Sequence, residues 1–335
     1  MPPDLITLGE ALMDLPSTQS GVSLADAPGF AKVPAGAPAN VAVAARALGL
    51  ETAFVSKVGT DAFGEAIIKT FAGYGVDTTH VVQDADARTG LAFVSVQPDG
   101  SRDFLFYFDP ARDLALRPDE LDLDWLNTAR VLHYGSISLI AEPGRSATLA
   151  AAAHLIKAGR AVCSYDPNLR PRLWPDVRAM RAGVLLGFTV ADLVKISVEE
   201  LLFLYPDAAD EASAVGVLMR DFPNLRLVAV TEGGLGCRGY APRGVYADAP
   251  GFAVDFVDGT GAGDAFMAGL LASLLRQGPI LSATLDGIGA VLPDALRYAN
   301  ACGALAATRL GASMHWLTED AVRAIMGGQL WEADT

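Results

Sequence analysis

The residues best suited to chemistry lie near the C-terminus, in the run Asp258-Gly-Thr-Gly-Ala-Gly-Asp264. Its three glycines give the backbone access to dihedral angles that other residues avoid, and the apolar residues that follow predict a buried helix. The start of a helix presents unpaired N–H groups and the positive end of a dipole, which suit a phosphate or an oxyanion. Asp264 adds a carboxylate that could take a proton from a bound hydroxyl group. The run therefore predicts phosphoryl transfer to an alcohol.

A simpler interpretation is that Asp264 only caps the helix. The run is neither a Walker loop, since no Gly-Lys-Ser/Thr follows, nor the Gly-x-Gly-x-x-Gly fingerprint of dinucleotide-binding proteins. The complete string closely resembles the C-terminal signature of the ribokinase-like sugar kinases, also called the phosphofructokinase-B family. The resemblance favours a catalytic Asp264 over a cap.

A second run of this kind, Ala35-Gly-Ala-Pro-Ala-Asn40, precedes an alanine-rich helix near the N-terminus. A proline in the first turn and a glycine after the last are typical of helix boundaries. The run resembles the family's N-terminal signature, Gly-Gly-x-x-Ala-Asn, with Ala35 in place of the first glycine. The resemblance implies that Asp14, Gly36 and Asn40 bind sugar hydroxyl groups. For Asn40, a local helix cap is the alternative.

Two further motifs follow predicted strands. Asp166-Pro-Asn-Leu-Arg170 comes at a strand end, where open α/β sheets bind their ligands. A guanidinium there could bind phosphate through two hydrogen bonds, or could lie in a solvated surface turn. The resemblance implies that Asn168 and Arg170 face the transferred phosphate. It also implies that Glu200, in Ser197-Val-Glu-Glu200 at the family's Asn-x-x-Glu position, organises Mg²⁺ through water, although an acidic residue near a helix start is the simpler interpretation.

The remaining site residues are implied by the resemblance alone. Asn300 matches a position beside adenine. Asp258 and Thr260, with the loop 309–314, match positions that bind a monovalent cation such as K⁺ in many members. The run 231–236 resembles the turn that approaches the phosphates and ribose of ATP, with Thr231, Gly233, Gly234 and Gly236 as the nucleotide-binding residues.

Strands and helices alternate along the chain, which predicts right-handed crossovers and a mainly parallel sheet. We expect one α/β domain over residues 1–335, with three layers: a mainly parallel central sheet and helices on both faces. Residues 5–10 are predicted to form the first strand, and residues 11–14 to continue it. A phenylalanine-rich hairpin over 91–108, together with the irregular segment 15–35, resembles the small β-sheet lid that these kinases close over the sugar. A hairpin packed on the core is the alternative.

Composition disfavours several other classes of protein. The formal net charge of −14 argues against a nucleic-acid partner. The sequence shows neither an apolar stretch suited to a membrane nor a signal peptide. Its cysteines, Cys163, Cys237 and Cys302, are widely spaced in apolar segments, which indicates buried free thiols and a cytoplasmic location. A homodimer is left open.

The resemblance covers essentially the whole chain and is strongest to the fructokinase branch, for example over Ser164-Tyr-Asp-Pro-Asn-Leu-Arg170. It implies phosphorylation of fructose to fructose 6-phosphate by ATP and Mg²⁺. Asp264 would be the general base, and the N–H groups of Gly261, Ala262 and Gly263 the anion hole.

Two alternatives to a fructokinase stay open. One is a kinase for 2-keto-3-deoxygluconate, another ketose or ribose; Phe108, at a position where the family often has arginine, disfavours an acidic sugar. The other is a non-catalytic regulatory homologue, which would have no need of the Asp264 carboxylate.

Overall fold

Two separate β-sheets organise the part of the chain that a computed structural model describes, residues 2–96, 102–109, 115–277 and 282–328. The strands are, in chain order, β1 (Leu5–Leu8), β2 (Leu12–Pro16), β3 (Val33–Ala35), β4 (Thr52–Gly59), β5 (Val81–Asp84), β6 (Gly90–Val96), β7 (Arg102–Tyr107), β8 (Val131–Gly135), β9 (Val162–Asp166), β10 (Leu193–Ser197), β11 (Leu227–Thr231), β12 (Gly236–Ala241) and β13 (Val245–Pro250).

The larger sheet has the strand order β13-β12-β11-β10-β9-β8-β1-β4-β5. From β11 to β5 every neighbouring pair is parallel, as predicted, and such pairs need the helical crossovers that the sequence contains. Two strands that were not predicted, β12 and β13, add an antiparallel edge after β11.

Helices cover both faces of this sheet, which confirms the predicted three layers. The helices are α1 (Ala37–Ala47), α2 (Ala62–Gly73), α3 (Leu123–Leu126), α4 (Gly144–Ala158), α5 (Val177–Phe188), α6 (Val198–Leu204), α7 (Glu211–Asp221), α8 (Ala262–Arg276), α9 (Leu292–Ala306) and α10 (Glu319–Met326). Successive strand residues face opposite sides of a sheet. Leu5 and Leu193 accordingly pack with α1, α8 and α9, whereas Ile6 and Val194 pack with α4, α5 and α7.

The smaller sheet has the order β3-β2-β6-β7, with β6 and β7 paired as the predicted antiparallel hairpin. The predicted turn of this hairpin, at 98–100, lies outside the described residues. The prediction that residues 11–14 continue the first strand was wrong, because β2 pairs with β3 and β6. Gly9 and Glu10 carry the chain from one sheet to the other between two apolar runs, so that the two strands look continuous in the sequence.

None of the helices in the described ranges is long and apolar enough to cross a membrane. The three cysteines all lie in these ranges, and each is buried and outside any disulfide, as predicted. Burial raises the pKa of the Cys237 thiol to about 12, which keeps this thiol protonated at neutral pH.

Candidate active site

Two helices, α1 and α8, begin at the candidate site, each after a glycine with a positive φ angle. The φ angle is 137° at Gly36 and 78° at Gly261. A Cβ atom on Gly36 would lie 2.2 Å from the carbonyl oxygen of Glu10, and one on Gly261 would lie 3.1 Å from Cα of Ala312. Both positions therefore require glycine. Neither glycine has a side chain that could cap its helix. In α1 the N–H group of Ala37 instead donates to the Glu10 carboxylate, whereas no side chain of the described residues caps α8, which leaves the start of α8 available to a ligand.

Asp264 lies in the first turn of α8, where its carboxylate is held by a residue from the other end of the chain. Its side chain is buried, and its Oδ2 accepts a hydrogen bond of 2.8 Å from Nδ2 of Asn40 in α1. The N-cap residues of the two helices are Gly36 and Gly261. Neither Asn40 nor Asp264 is therefore the local helix cap that the simpler interpretation supposed.

Burial raises the pKa of Asp264 to about 7. The hydrogen bond from Asn40 and the positive charges of Lys195 and Arg170 oppose this rise, while the negative charge of Asp166 adds to it. A carboxylate with a pKa near the working pH is well matched to general base catalysis.

A second buried carboxylate, Glu10, was not predicted. It lies on the link between β1 and β2, and its Oε1 accepts a hydrogen bond of 2.9 Å from the N–H group of Ala37. Its Oε2 has no hydrogen-bond partner among the described residues. Burial raises the pKa of Glu10 to about 7 as well. A carboxylate between two apolar strands is a signal that could have identified it, since unpaired acids are seldom buried.

A buried ion pair lies next to the glycine turn that starts α8. Nζ of Lys195, on β10, is 3.0 Å from Oδ2 of Asp166, at the end of β9. A Cβ atom on Gly263 would lie only 2.8 Å from the same Nζ. Burial lowers the pKa of Lys195, but the charges of Asp166, Glu200 and Asp264, together with the hydrogen bond to Asp166, raise it above its usual value. Neither residue of this pair was predicted to act at the site, although a lysine inside an apolar strand is a visible signal.

Glu200 fixes the loop that follows β9. Its Oε1 accepts a hydrogen bond of 2.7 Å from the N–H group of Leu169, and its Oε2 accepts one of 3.1 Å from that of Ser197 at the start of α6. The loop carries Asn168, with φ of 45°, and the exposed Arg170. Glu200 is thus the acidic residue at a helix start that the simpler interpretation expected. Its role towards Mg²⁺ stays a prediction.

Among the other predicted sugar-binding residues, Asp14 lies partly buried on β2 of the smaller sheet. Its Cα pairs with Val33 of β3 and Ala92 of β6. Ala262, a predicted anion-hole donor, gives its N–H group to the Gly259 carbonyl in a long hydrogen bond of 3.3 Å.

The predicted nucleotide-binding residues lie at and after the end of β11; they are Thr231, Gly233, Gly234 and Gly236. Gly236 must be glycine, because its φ is 113° and a Cβ atom there would lie 2.2 Å from the Ala249 carbonyl oxygen. Nδ2 of Asn300 donates to this same carbonyl at 2.9 Å. Asn300 therefore holds the end of β13 beside the turn.

The predicted cation-binding residues join two loops. Oδ1 of Asp258 accepts hydrogen bonds from the N–H group (3.0 Å) and the hydroxyl group (2.8 Å) of Thr260, and its Oδ2 accepts one of 2.9 Å from the N–H group of Gly311. No group of three or more His, Cys, Asp or Glu side chains in the described part of the chain could hold a metal ion. A cation here would need backbone oxygens and water as further ligands, which hard cations readily accept.

Comparisons with known proteins cover nearly the whole chain. Residues 3–318 match the pfkB family carbohydrate kinases. The sequence is 45% identical over 325 residues to probable fructokinase-4 of Arabidopsis thaliana, covering 97% of each chain. The crystal structure of the Xylella fastidiosa fructokinase with bound ATP superimposes with a TM-score of 0.87 at 33% identity, covering 97% of this chain and 99% of that one. The crystal structure of the fructokinase of Vibrio cholerae O395, in its fructose-, ADP- and calcium-bound form, superimposes with a TM-score of 0.81 at 33% identity. It covers 97% of this chain and 99% of that one.

Proposed function

Because the chain belongs to the pfkB family of carbohydrate kinases, we propose that it transfers the γ-phosphoryl group of ATP to fructose, giving fructose 6-phosphate. One observation carries the proposal: the buried Asp264 carboxylate, held by Asn40 at the open start of α8. The relatives and solved structures named as fructokinases support fructose as the acceptor.

Asp264 acts as the general base. Its ionised carboxylate accepts the proton of the sugar hydroxyl group while the hydroxyl oxygen attacks the γ-phosphorus. The hydrogen bond from Asn40 fixes the orientation of the carboxylate and favours its ionised form. Since the pKa is about 7, Asp264 can release the proton to water after each turnover.

The start of α8 stabilises the charge that develops on the transferred group. The N–H groups of Gly261, Ala262 and Gly263, together with the helix dipole, form the anion hole. The exposed Arg170 adds a guanidinium from the neighbouring loop, whose backbone Glu200 holds in place. When bound with ATP, Mg²⁺ supplies positive charge between the phosphates, and Glu200 would hold it through water.

The other predicted residues complete the site. The turn 231–236 and Asn300 bind the nucleotide, and Asp14 and Gly36 bind the sugar. K⁺ at Asp258 and Thr260 would stiffen the turn before α8. The smaller sheet acts as a lid whose closure over the sugar excludes water.

An ADP-release assay with fructose, ribose, adenosine and 2-keto-3-deoxygluconate tests the proposal. We expect kcat/KM for fructose to exceed that for each other acceptor by at least about tenfold. Coupling to an enzyme specific for fructose 6-phosphate identifies the product. A preference for 2-keto-3-deoxygluconate would contradict fructose as the acceptor but would agree with a sugar kinase. No ADP release with any acceptor would instead favour the regulatory homologue.

A further inference from the structure

We propose that Lys195 is a positioning residue of the reaction: its buried ammonium group, held by Asp166, places a fixed positive charge behind the glycine turn and the Asp264 carboxylate. The inference deepens the proposed function and rests on it for its kinetic consequences. Sequence motifs gave no role to either member of this pair.

The position of the ammonium group follows from its two neighbours, its burial and the pairing of its strand. Nζ of Lys195 is 3.0 Å from Oδ2 of Asp166, and a Cβ atom on Gly263 would lie 2.8 Å from this Nζ. The two charged side chains are only 8% and 4% exposed. They come from neighbouring parallel strands, β10 and β9, whose pairing fixes them side by side. The charge can therefore neither move into solvent nor leave the turn.

This arrangement brings two positive groups together. The ammonium of Lys195 lies beside the first turn of α8, which is itself the positive end of a helix dipole. Asp166 offsets part of the repulsion, but its Oδ1 has no hydrogen-bond partner among the described residues. An anion at the turn relieves the repulsion further. Lys195 thus prepares the turn for two anions, the ionised Asp264 and the transferred phosphoryl group.

Three charged groups from the surrounding elements shift the pKa of Asp264, besides the neutral Asn40 amide. Lys195 and Arg170 lower this pKa, and Asp166 raises it; a fourth charged group, Glu10, has its own pKa raised by Asp264. Removing Lys195 and removing Asp166 should therefore shift the titration of Asp264 in opposite directions.

The kinetic test compares Lys195→Met, Asp166→Asn and the double variant. With Lys195→Met, we expect kcat to fall by about 10- to 100-fold, less than for a direct oxyanion donor, while KM for fructose changes less than about threefold. The acid limb of kcat/KM should move to higher pH in Lys195→Met and to lower pH in Asp166→Asn. The double variant removes both buried charges, so its melting temperature should recover towards the wild-type value while kcat stays low. If kcat recovers together with the melting temperature, the lysine only neutralises Asp166 and the inference is wrong.

A second measurement does not depend on activity. Carbon-13 NMR of labelled aspartate carboxyl groups, with Asp264→Asn to assign the resonance, gives the pKa of Asp264 directly. Lys195→Met should raise it, whereas the matched control Lys57→Met should leave it unchanged. Lys57 is also a buried lysine, paired with Asp84 and Glu120 at 2.8 Å each. An unchanged pKa in Lys195→Met overturns the inference. A wild-type protein without fructose kinase activity contradicts the proposed function alone, because the NMR result still decides the role of Lys195.

Discussion

The starts of α1 and α8 at the candidate site differ from those of two peripheral helices, α5 and α7. α5 and α7 begin at Asp176 and Asp210, whose carboxylates accept hydrogen bonds of 2.7 and 2.8 Å from backbone N–H groups in the first turn. α8 instead begins after Gly261, and no side chain of the described residues caps it; at the start of α1, after Gly36, the Glu10 carboxylate accepts a hydrogen bond from the N–H group of Ala37. A cap typically stabilises a protein by about 0.5–2 kcal/mol. α8 lacks this stabilisation, and its start is available to an anion.

The same comparison holds for two aspartates near helix starts. Hydrogen bonds from Ser213 hold the pKa of Asp210 below its usual value. Burial instead raises the pKa of Asp264 to about 7. Asp210 lies at the N-cap in solvent, whereas Asp264 lies buried inside the first turn. Solvent access separates the two residues: the exposed Asp210 is ionised at neutral pH, whereas burial brings the pKa of Asp264 near 7.

The largest expected effect comes from Asp264→Asn. This variant keeps the size of the side chain and an acceptor for Asn40, but it cannot take the hydroxyl proton. We expect kcat to fall by about 10²–10⁴, with fructose affinity retained in calorimetric titration. The matched variant Asp210→Asn should leave kcat unchanged, since Asn caps a helix about as well as Asp. A decrease of less than about tenfold in Asp264→Asn would mean that another group is the base.

The next effect is a pH dependence: as the pH rises, kcat/KM should increase, whereas the contribution of Asp264 to stability should decrease. The wild-type kcat/KM should fall about tenfold per pH unit below pH 7, because Asp264 must be ionised. Between the usual aspartate pKa of 3.8 and about 7, the folded state binds more protons at this site than the unfolded state. The contribution of Asp264 to stability is therefore full below this window and is lost as the pH rises through it. At pH 8, Asp264→Asn should melt at a higher temperature than the wild type; a lower melting temperature would contradict the burial of an ionised carboxylate.

A smaller effect is expected for Gly261→Ala. The φ angle of 78° disfavours alanine, and the new Cβ atom would lie 3.1 Å from Ala312. We expect a loss of about 1–3 kcal/mol in the free energy of unfolding, together with a lower kcat as the turn shifts. Gly159→Ala is the matched control, because Gly159 has φ of 66° after α4 and no atom within 4 Å of a new Cβ. The Gly159→Ala variant should lose stability through strain alone and keep its kcat. An equal loss of kcat in both variants would mean that Gly261 has no special role at the site.

The smallest effect is expected for Asp210→Ala, which removes a cap outside the site. Denaturant unfolding should show a loss of about 1 kcal/mol, and kcat should stay the same. A loss of kcat here would show that capping at the periphery and geometry at the site are coupled.

The sequence predicted the features that depend on local residue types. The glycines at 259, 261 and 263 and the apolar residues after Asp264 indicated the turn and the helix that the structure contains. Alternating strand and helix patterns indicated a mainly parallel sheet, since crossover length leaves few other topologies. The family resemblance supplied roles for the site residues.

Features that depend on packing between distant segments could not be predicted in this way. The hydrogen bond between Asn40 and Asp264 spans 224 positions and exists only because α1 packs beside α8. Lys195 looked like one polar residue in an apolar strand, because its partner Asp166 lies on a neighbouring strand. Asp14 was assigned to the wrong sheet, since strand patterns do not show where a chain changes sheets.

The bond between Asn40 and Asp264 also has a consequence for protein synthesis. A ribosome that adds about 5–20 residues per second needs roughly 10–45 s to make the segment between them. During this interval the apolar surfaces of Leu5 and Val41, which later pack with α8 and α9, have no cover from those helices. The nascent chain thus presents the kind of surface that chaperones bind. No shorter chain that ends before Asp264 can transfer a phosphoryl group by this mechanism, however well its first strands have folded.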